Sequence, residues 1–232
     1  MNDVGKTDSM LNTTVKRSYK KLFDFLKDHT KKPTSDSSPT HTRIGDKDSK
    51  IAGGAYYIPD EKWDIFMNLY WNDVIQKKKP EYLTEKQLET NPPIAVDLDL
   101  HFPLDFNERY YSQDHLDDLV DLYLGEIKDI FQFDEHTAFS VYVFEKDHLN
   151  RVPEKNITKD GIHMVIGLQM DHKAQTILRK RVMDKMNEIW QDCPIVNTWN
   201  DVFDEGISKG YTNWQLYGSC KPNHEAYKIT SK

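Results

Sequence analysis

Asp97 and Asp99 stand two residues apart in the stretch Val96-Asp97-Leu98-Asp99-Leu100. Val96, Leu98, Leu100 and Phe102 are apolar, whereas Asp97, Asp99 and His101 are polar. This period of two predicts a β-strand over about residues 94–102 with one face in a core. Both carboxylates then leave the same face. Like charges that close destabilise a strand unless something neutralises them. Hard divalent cations such as Mg²⁺ or Mn²⁺ do so, because they prefer carboxylate oxygens. A solvated outer face is the plainer alternative.

The elements that must position these acids follow from residue 93 onward. Helical spacing runs over about 112–131 and 172–191, and strands are predicted over about 138–145 and 161–168. Two further short strands are predicted near 201–207 and 212–219. The order β-α-β-β-α-β is the ferredoxin-like unit of an α+β fold. Its first and third strands are central neighbours, and its fourth flanks the first. On the third strand Ile162, Met164, Ile166 and Leu168 face the core, so His163 shares the face of Asp97 and Asp99. Asp204, flanked by Val202, Phe203 and Ile207, comes from the fourth element. Three acids and a histidine thus converge on one open sheet face.

Two aspartates on one strand and a third from a neighbouring element suit a two-metal site for phosphoryl transfer. In nucleotidyl transfer one ion activates a 3′-hydroxyl and the other holds the triphosphate. His163 would serve there as a donor to phosphate or pyrophosphate. Lys159-Asp160-Gly161-Ile162-His163 adds a cation and a glycine permitting close backbone approach. In Tyr217-Gly218-Ser219-Cys220-Lys221-Pro222, Gly-Ser lets a phosphate reach backbone N–H groups and Lys221 adds charge. An ordinary turn with an exposed lysine would read the same way.

The 232 residues allow one large domain or a domain with an appendage. Hydrophobic residues make up 38% and charged residues 30%, and the longest apolar runs fall short of the ~18 residues of a membrane span. The N-terminus lacks a signal-peptide core. Cys193 and Cys220 are the two cysteines, which implies a reducing compartment and excludes a four-cysteine zinc site. A mixed Cys/His zinc site stays open, although no pair has ligand-like spacing. The net charge of −7 is uneven: residues 51–150 carry 8 basic and 21 acidic side chains, whereas both flanks are net positive. A polyanion would have to bind through local basic surfaces and bound cations.

Residues 1–90 read as a mostly helical, basic subdomain packed on a core over 91–232. Helical spacing covers 10–29, with Leu11, Val15, Tyr19, Leu22, Phe23 and Leu26 on one side and Lys16, Arg17, Lys20, Lys21 and Lys27 elsewhere. A polar loop spans 31–41, and a second helix spans 60–76 with Trp63, Phe66, Met67, Tyr70 and Val74 as core candidates.

Together these pieces resemble the archaeo-eukaryotic primase superfamily. The nearest likeness is the N-terminal primase domain of the primase–helicases of nucleocytoplasmic large DNA viruses, of giant-virus and poxvirus type. The hydrophobic-flanked acid-x-acid strand is Val96-Asp97-Leu98-Asp99-Leu100. The second motif, a small residue, any residue and histidine after a lysine, is Lys159-Asp160-Gly161-Ile162-His163. The third is Phe203-Asp204, followed by a strand ending Gly218-Ser219-Cys220-Lys221-Pro222. Thr40-His41-Thr42-Arg43-Ile44 and Gly53-Gly54-Ala55-Tyr56-Tyr57-Ile58-Pro59 are similar to the upstream region of giant-virus members.

The resemblance implies an RRM-like primase–polymerase core that makes short primers from NTPs or dNTPs on a single-stranded DNA template. Asp97, Asp99 and Asp204 would hold two Mg²⁺ or Mn²⁺ ions, with Asp201 in reserve for the third acid. Lys159, His163, Ser219, Lys221 and Arg43 would contact the triphosphate. The partner would be a helicase domain or subunit, and the setting a soluble intracellular one: host cytoplasm or virus factory. The chain departs from many members in lacking an arginine before the last motif, where Trp214, Gln215 and Leu216 stand. No Walker A motif or zinc module is visible, so the chain reads as an excised or a stand-alone catalytic domain. The competing classes are a metal-dependent nuclease or nucleotidyl cyclase, and an RRM-like single-strand-binding module.

Overall fold

The computed structural model describes residues 19–31, 38–134 and 136–232. In chain order its elements begin with helix α1 (Leu22–Asp28), strands β1 (His41–Arg43) and β2 (Gly54–Tyr56), and helix α2 (Trp63–Tyr70). Helix α2 runs on as a π-helical turn over Trp71–Gln76, and β3 (Leu83–Glu85) follows. Then come β4 (Pro93–Pro103), α3 (Gln113–Ile130), β5 (Val141–Glu145), β6 (Asn150–Val152), β7 (Ile157–Gln169) and α4 (His172–Ile189). The chain closes with the helical turns α5 (Trp199–Val202) and α6 (Glu205–Ser208) and strands β8 (Trp214–Gln215) and β9 (Lys228–Ser231). The fold is α+β, with two antiparallel sheets among the described residues.

The larger sheet has the order β4-β7-β5-β9, with β6 pairing the early part of β7. Along β4 the burial alternates strictly: Ile94, Val96, Leu98, Leu100 and Phe102 are buried and the residues between them are not. Helices α3 and α4 cover that apolar face, with Leu116, Leu119, Tyr123 and Ile127 from one and Leu178, Val182 and Met186 from the other in a single core. Each such side chain contributes roughly 1.5–3 kcal/mol by leaving water. Asp171 caps α4 by accepting hydrogen bonds from the backbone of Lys173 and Ala174. The opposite face of the sheet is left open.

The strand order departs from the ferredoxin-like expectation at its fourth strand. The strand beside β5 at the far edge, β9, was not foreseen, and no full strand flanks β4. Residues 201–207, expected as a strand, form two helical turns, since Thr198 and Asp204 both act as N-caps. What lies along β4 is the irregular segment 196–204. Its contacts are Val196 N–H to His101 O (2.8 Å), Asn197 bridging the His101 N–H and the Asp99 carbonyl (3.0 and 2.9 Å), a Leu98–Phe203 bridge, and Asp204 N–H to Asp97 O (3.0 Å).

The smaller sheet has the order β2-β1-β3-β8, so its fourth strand comes from the last motif. The N-terminal region is thus less helical than expected: three short strands accompany α1 and α2. They pack with Leu22, Phe25, Leu26, Phe66, Tyr70, Val74 and Leu216 into a second core. Phe25 is buried there and Phe23 lies 58% exposed, the reverse of the expected helix face. Trp63 and Met67, 39% and 38% exposed, are not part of this core. Leu11, Val15, Lys16 and Arg17, and most of the expected polar loop, lie outside the described residues. No helix of the described residues is long and apolar enough to cross a membrane.

Candidate active site

Antiparallel pairing of β4 with β7 sets Asp97 opposite His163, Asp99 opposite Gly161 and His101 opposite Lys159. All point away from the core. His163 Nε2 lies 3.5 Å from Asp97 Oδ1, and Asp99 Oδ2 accepts from Lys159 Nζ at 2.6 Å and lies 3.1 Å from His101 Nε2. Burial works against the charge on Asp97. His163, Lys221 and Lys146 more than offset it and hold the carboxyl below the ordinary carboxylate range.

Asp204 reaches this face from the neighbouring segment, its N–H bound to the Asp97 carbonyl. Its Oδ1 accepts from the N–H groups of Gly206 and Ile207 at 2.7 and 3.2 Å. Arg179, buried on α4, secures the approach to Asp204 by donating to the Phe203 carbonyl (2.6 Å from Nη2) and the Asn200 carbonyl (2.9 Å). A cleft of about 830 Å³ runs over the face, and Asp97, Asp99, Asp204, Lys159, His163 and Lys221 all line it. Asp201 lines it too, with its carboxylate bound to the Thr198 hydroxyl at 2.6 Å.

Lys146, His224 and Tyr227, which the sequence reading passed over, also line the cleft, together with Trp214. Lys146 sits near Asp97 and Asp99. Burial first, then the Lys221 charge, lowers its pKa, with the two aspartates opposing. Burial followed by Lys146, Lys221 and Lys159 lowers that of His224 in the same way. Cations that crowd one another beside acids make a place for a polyanion. The signal for Lys146 was present, because continuing the β5 alternation from Phe144, the register partner of His163, puts Lys146 on the site face. Tyr227 lies beyond the last motif and had no such signal. Its ring stacks on His163 (centroids 3.6 Å apart), with Trp214 at 4.6 Å from the same imidazole. Burial and the charges of Asp97, Asp99 and Asp160 push its phenol well above its ordinary pKa. A Cβ on Gly161 would fall 2.2 Å from the Tyr227 hydroxyl, so this glycine makes room for Tyr227.

Two expected triphosphate contacts lie elsewhere. Ser219 is 1% exposed. Its Oγ accepts from the Leu83 N–H at 3.2 Å and pairs with the Tyr70 hydroxyl at 2.8 Å. Arg43 donates to the Ala52 carbonyl at 2.7 Å, lies 3.6 Å from Glu81 and covers the Tyr56 ring. Both are held within the smaller sheet and its surroundings, because buried polar groups need fixed partners.

The donor set fits Mg²⁺ or Mn²⁺ chemistry in a particular way. Asp97, Asp99 and Asp204 supply hard oxygens, and each has one carboxylate oxygen without a hydrogen-bond partner among the described residues. The three do not gather into a closed cage. Mg²⁺ is suited to such a site, since it keeps waters and takes one or two carboxylates together with substrate phosphates.

Comparison with known proteins shows the family. A mimivirus protein (Acanthamoeba polyphaga mimivirus), named as a helicase, is 34% identical over 177 residues, which are 75% of this chain and 18% of that protein. The chain therefore spans less than a fifth of that relative's length. The family model described as "C962R protein N-terminal AEP domain" matches residues 46–232, a stretch holding all the cleft acids and cations named above. The chain belongs to this family, the archaeo-eukaryotic primase (AEP) domains of C962R-type viral primase–helicases.

Proposed function

We propose that the chain is a primase–polymerase: a nucleotidyltransferase that joins NTPs or dNTPs on a single-stranded DNA template to make primers for viral DNA replication. The observation that carries the reading is the strand pair setting Asp97 and Asp99 beside His163, within one cleft that also holds Lys146, Lys159, Lys221 and Asp204. Acids alone would serve a nuclease, but the cations beside them match the extra charge of a triphosphate.

Asp97, Asp99 and Asp204 would hold two Mg²⁺ or Mn²⁺ ions, which supply Lewis-acid activation of the 3′-hydroxyl and charge neutralisation at the triphosphate. Lys159, bound to Asp99 in the free protein, turns to the phosphates as they enter. Lys221, Lys146 and His224 bring positive charge to the same anion. His163, stacked on Tyr227 with Trp214 tilted against it, presents its N–H toward the leaving pyrophosphate. Within this reading residues 91–232 are the RRM-like catalytic core and 1–90 its accessory subdomain. A helicase domain, of the kind named in the mimivirus relative, is the partner. The activity belongs to the host cytoplasm or virus factory.

The test is de novo synthesis on single-stranded DNA with labelled NTPs or dNTPs and Mn²⁺ or Mg²⁺, beside an Asp97→Asn/Asp99→Asn double variant. Template-dependent short products are expected from the unaltered chain, falling at least about a thousandfold in the variant, roughly 4 kcal/mol of barrier. Metal-independent binding of single strands without any synthesis would overturn the reading in favour of a binding module.

A further inference from the structure

On the helical side of the larger sheet, away from the cleft, three donors of different chemistry meet. His115 belongs to the first turn of α3, and Asp192 and Cys193 to the loop after α4. One ligand atom from each lies within 4.8 Å of the other two, and no other such group of three forms among the described residues. His115 Nε2 is 3.2 Å from Asp192 Oδ1. Donors about 2.05 Å from a tetrahedral ion stand about 3.3 Å apart, so this pair already has zinc-like spacing. Cys193 is a partly buried free thiol, and the Asp192 side chain is 60% exposed.

The surroundings hold these donors in place. The Ser112 N–H donates to His115 Nδ1 at 3.1 Å and Ser112 Oγ lies 2.9 Å from the same nitrogen, so without a metal the neutral ring carries its hydrogen on Nε2, which faces the other two groups. Ligation through Nε2 moves the ring hydrogen to Nδ1, where Ser112 Oγ is the acceptor, because a ligating histidine ordinarily donates from its other nitrogen. The Trp190 indole donates to the His115 carbonyl at 3.0 Å, the Tyr110 hydroxyl donates to the Asp192 carbonyl at 3.0 Å, and Cys193 N–H donates to the Trp190 carbonyl at 3.2 Å. A thiol–imidazole nucleophile is the other chemistry available to such a group. That chemistry needs Nε2 for the thiol, and Asp192 Oδ1 already lies 3.2 Å from it.

We propose that His115, Asp192 and Cys193 bind one Zn²⁺ or similar borderline-soft divalent cation, with the fourth position open to solvent on the Asp192 side. Sulfur, imidazole nitrogen and carboxylate oxygen together select this class of metal over Mg²⁺. The position gives the ion a structural consequence. Cys193 opens the segment that runs along the β4 edge through Val196 and Asn197 and ends at Asp204. An ion bound here fastens the start of that segment to α3. The proposal does not depend on the polymerase reading.

The experiment is titration of the intact chain, freed of metal, with Zn²⁺ by calorimetry and with Co²⁺ by absorption spectroscopy. The expected result is one Zn²⁺ per chain and a thiolate-to-cobalt charge-transfer band. Cys193→Ser should abolish the band, and Asp192→Asn, at an exposed side chain, should weaken affinity by about tenfold or more. Asp97→Asn/Asp99→Asn should leave both signals intact, separating this site from the cleft. Absence of the cobalt band from the unaltered chain, or Zn²⁺ affinity unchanged in Cys193→Ser and Asp192→Asn, would overturn the proposal. In that case the 3.2 Å contact is an ordinary His–Asp hydrogen bond.

Discussion

At the scale of single residues, the site depends on packing around His163 as much as on charge. A histidine opposite Asp97 could rotate freely on an open sheet, but stacking on Tyr227 holds its plane. The bare backbone of Gly161 is what admits Tyr227. Gly161→Ala should therefore displace the tyrosine, free the imidazole and lower kcat/KM for nucleotide incorporation by about tenfold to a hundredfold, the usual effect of a misplacement near 1 Å. Adding Tyr227→Phe, which removes the clashing hydroxyl, should recover much of that loss. Steady-state incorporation by the single and double variants measures it. No recovery in the double variant would mean that Gly161 serves the nucleotide directly.

At the scale of elements, legibility followed length. The β4, α3, β7 and α4 segments are long and amphipathic, so their periodicity shows before any tertiary contact is known. With β4 and β7 in hand, the convergence of Asp97, Asp99 and His163 followed from alternation and from the expected pairing of the first and third strands. The strands β1, β2, β3, β8 and β9 have two to four residues each. Strands that short exist through pairing, and nothing local announces them. Residues 201–207 misled because Val202, Phe203 and Ile207 mimic a strand, although Thr198 and Asp204 were helix-cap signals available in the sequence. Asp204 still reached the expected place, because the segment lies along β4 without becoming a strand. Ser219 and Arg43 could not be assigned without knowing that β8 completes the smaller sheet.

The smaller sheet also carries a pH signature. His41 and Glu85 are cross-strand partners. Burial lowers the His41 pKa from 6.5 to about 4 and raises the Glu85 pKa from 4.5 to about 7. Between these limits both are neutral in the folded state. For His41 the unfolded chain binds more protons, so its contribution rises with pH from about 4 to 6.5. For Glu85 the folded chain binds more, so its contribution falls from about 4.5 to 7. The two slopes oppose each other in the unaltered protein. Glu85→Gln should expose a stability that rises with pH from 4.5 to 6.5, and His41→Gln one that falls over the same window. Urea denaturation across that range reads both signs, and parallel curves for the two variants would refute the assignment.

At the scale of the whole molecule, the last motif belongs to two structures at once. Lys221 lines the cleft, while Ser219, two residues earlier, joins Tyr70 to the Leu83 backbone, and Leu216 fills the second core. The turn between them needs Gly218 at φ +86°, where its missing Cβ also spares Ile75. The smaller sheet thereby fixes where Lys221 stands in the cleft. Ser219→Ala should cost about 1–3 kcal/mol of stability, the penalty of a buried N–H left without its acceptor. The KM for nucleotide should move by less than about twofold. A large KM rise at unchanged stability would instead make Ser219 a phosphate contact.

The segment lying along β4 has an effect unrelated to catalysis. Unpaired strand edges invite other chains to add to a sheet, and proteins suppress this by covering or charging them. Residues 196–204 occupy four outer backbone groups of β4, on Asp97, Asp99 and His101. The larger sheet is left on its other side with two short strands, the three-residue β6 and the four-residue β9, which opens on the exposed Lys228. A chain built this way resists edge-to-edge aggregation at high concentration, and loosening the 196–204 segment would forfeit that solubility before it disturbed the core.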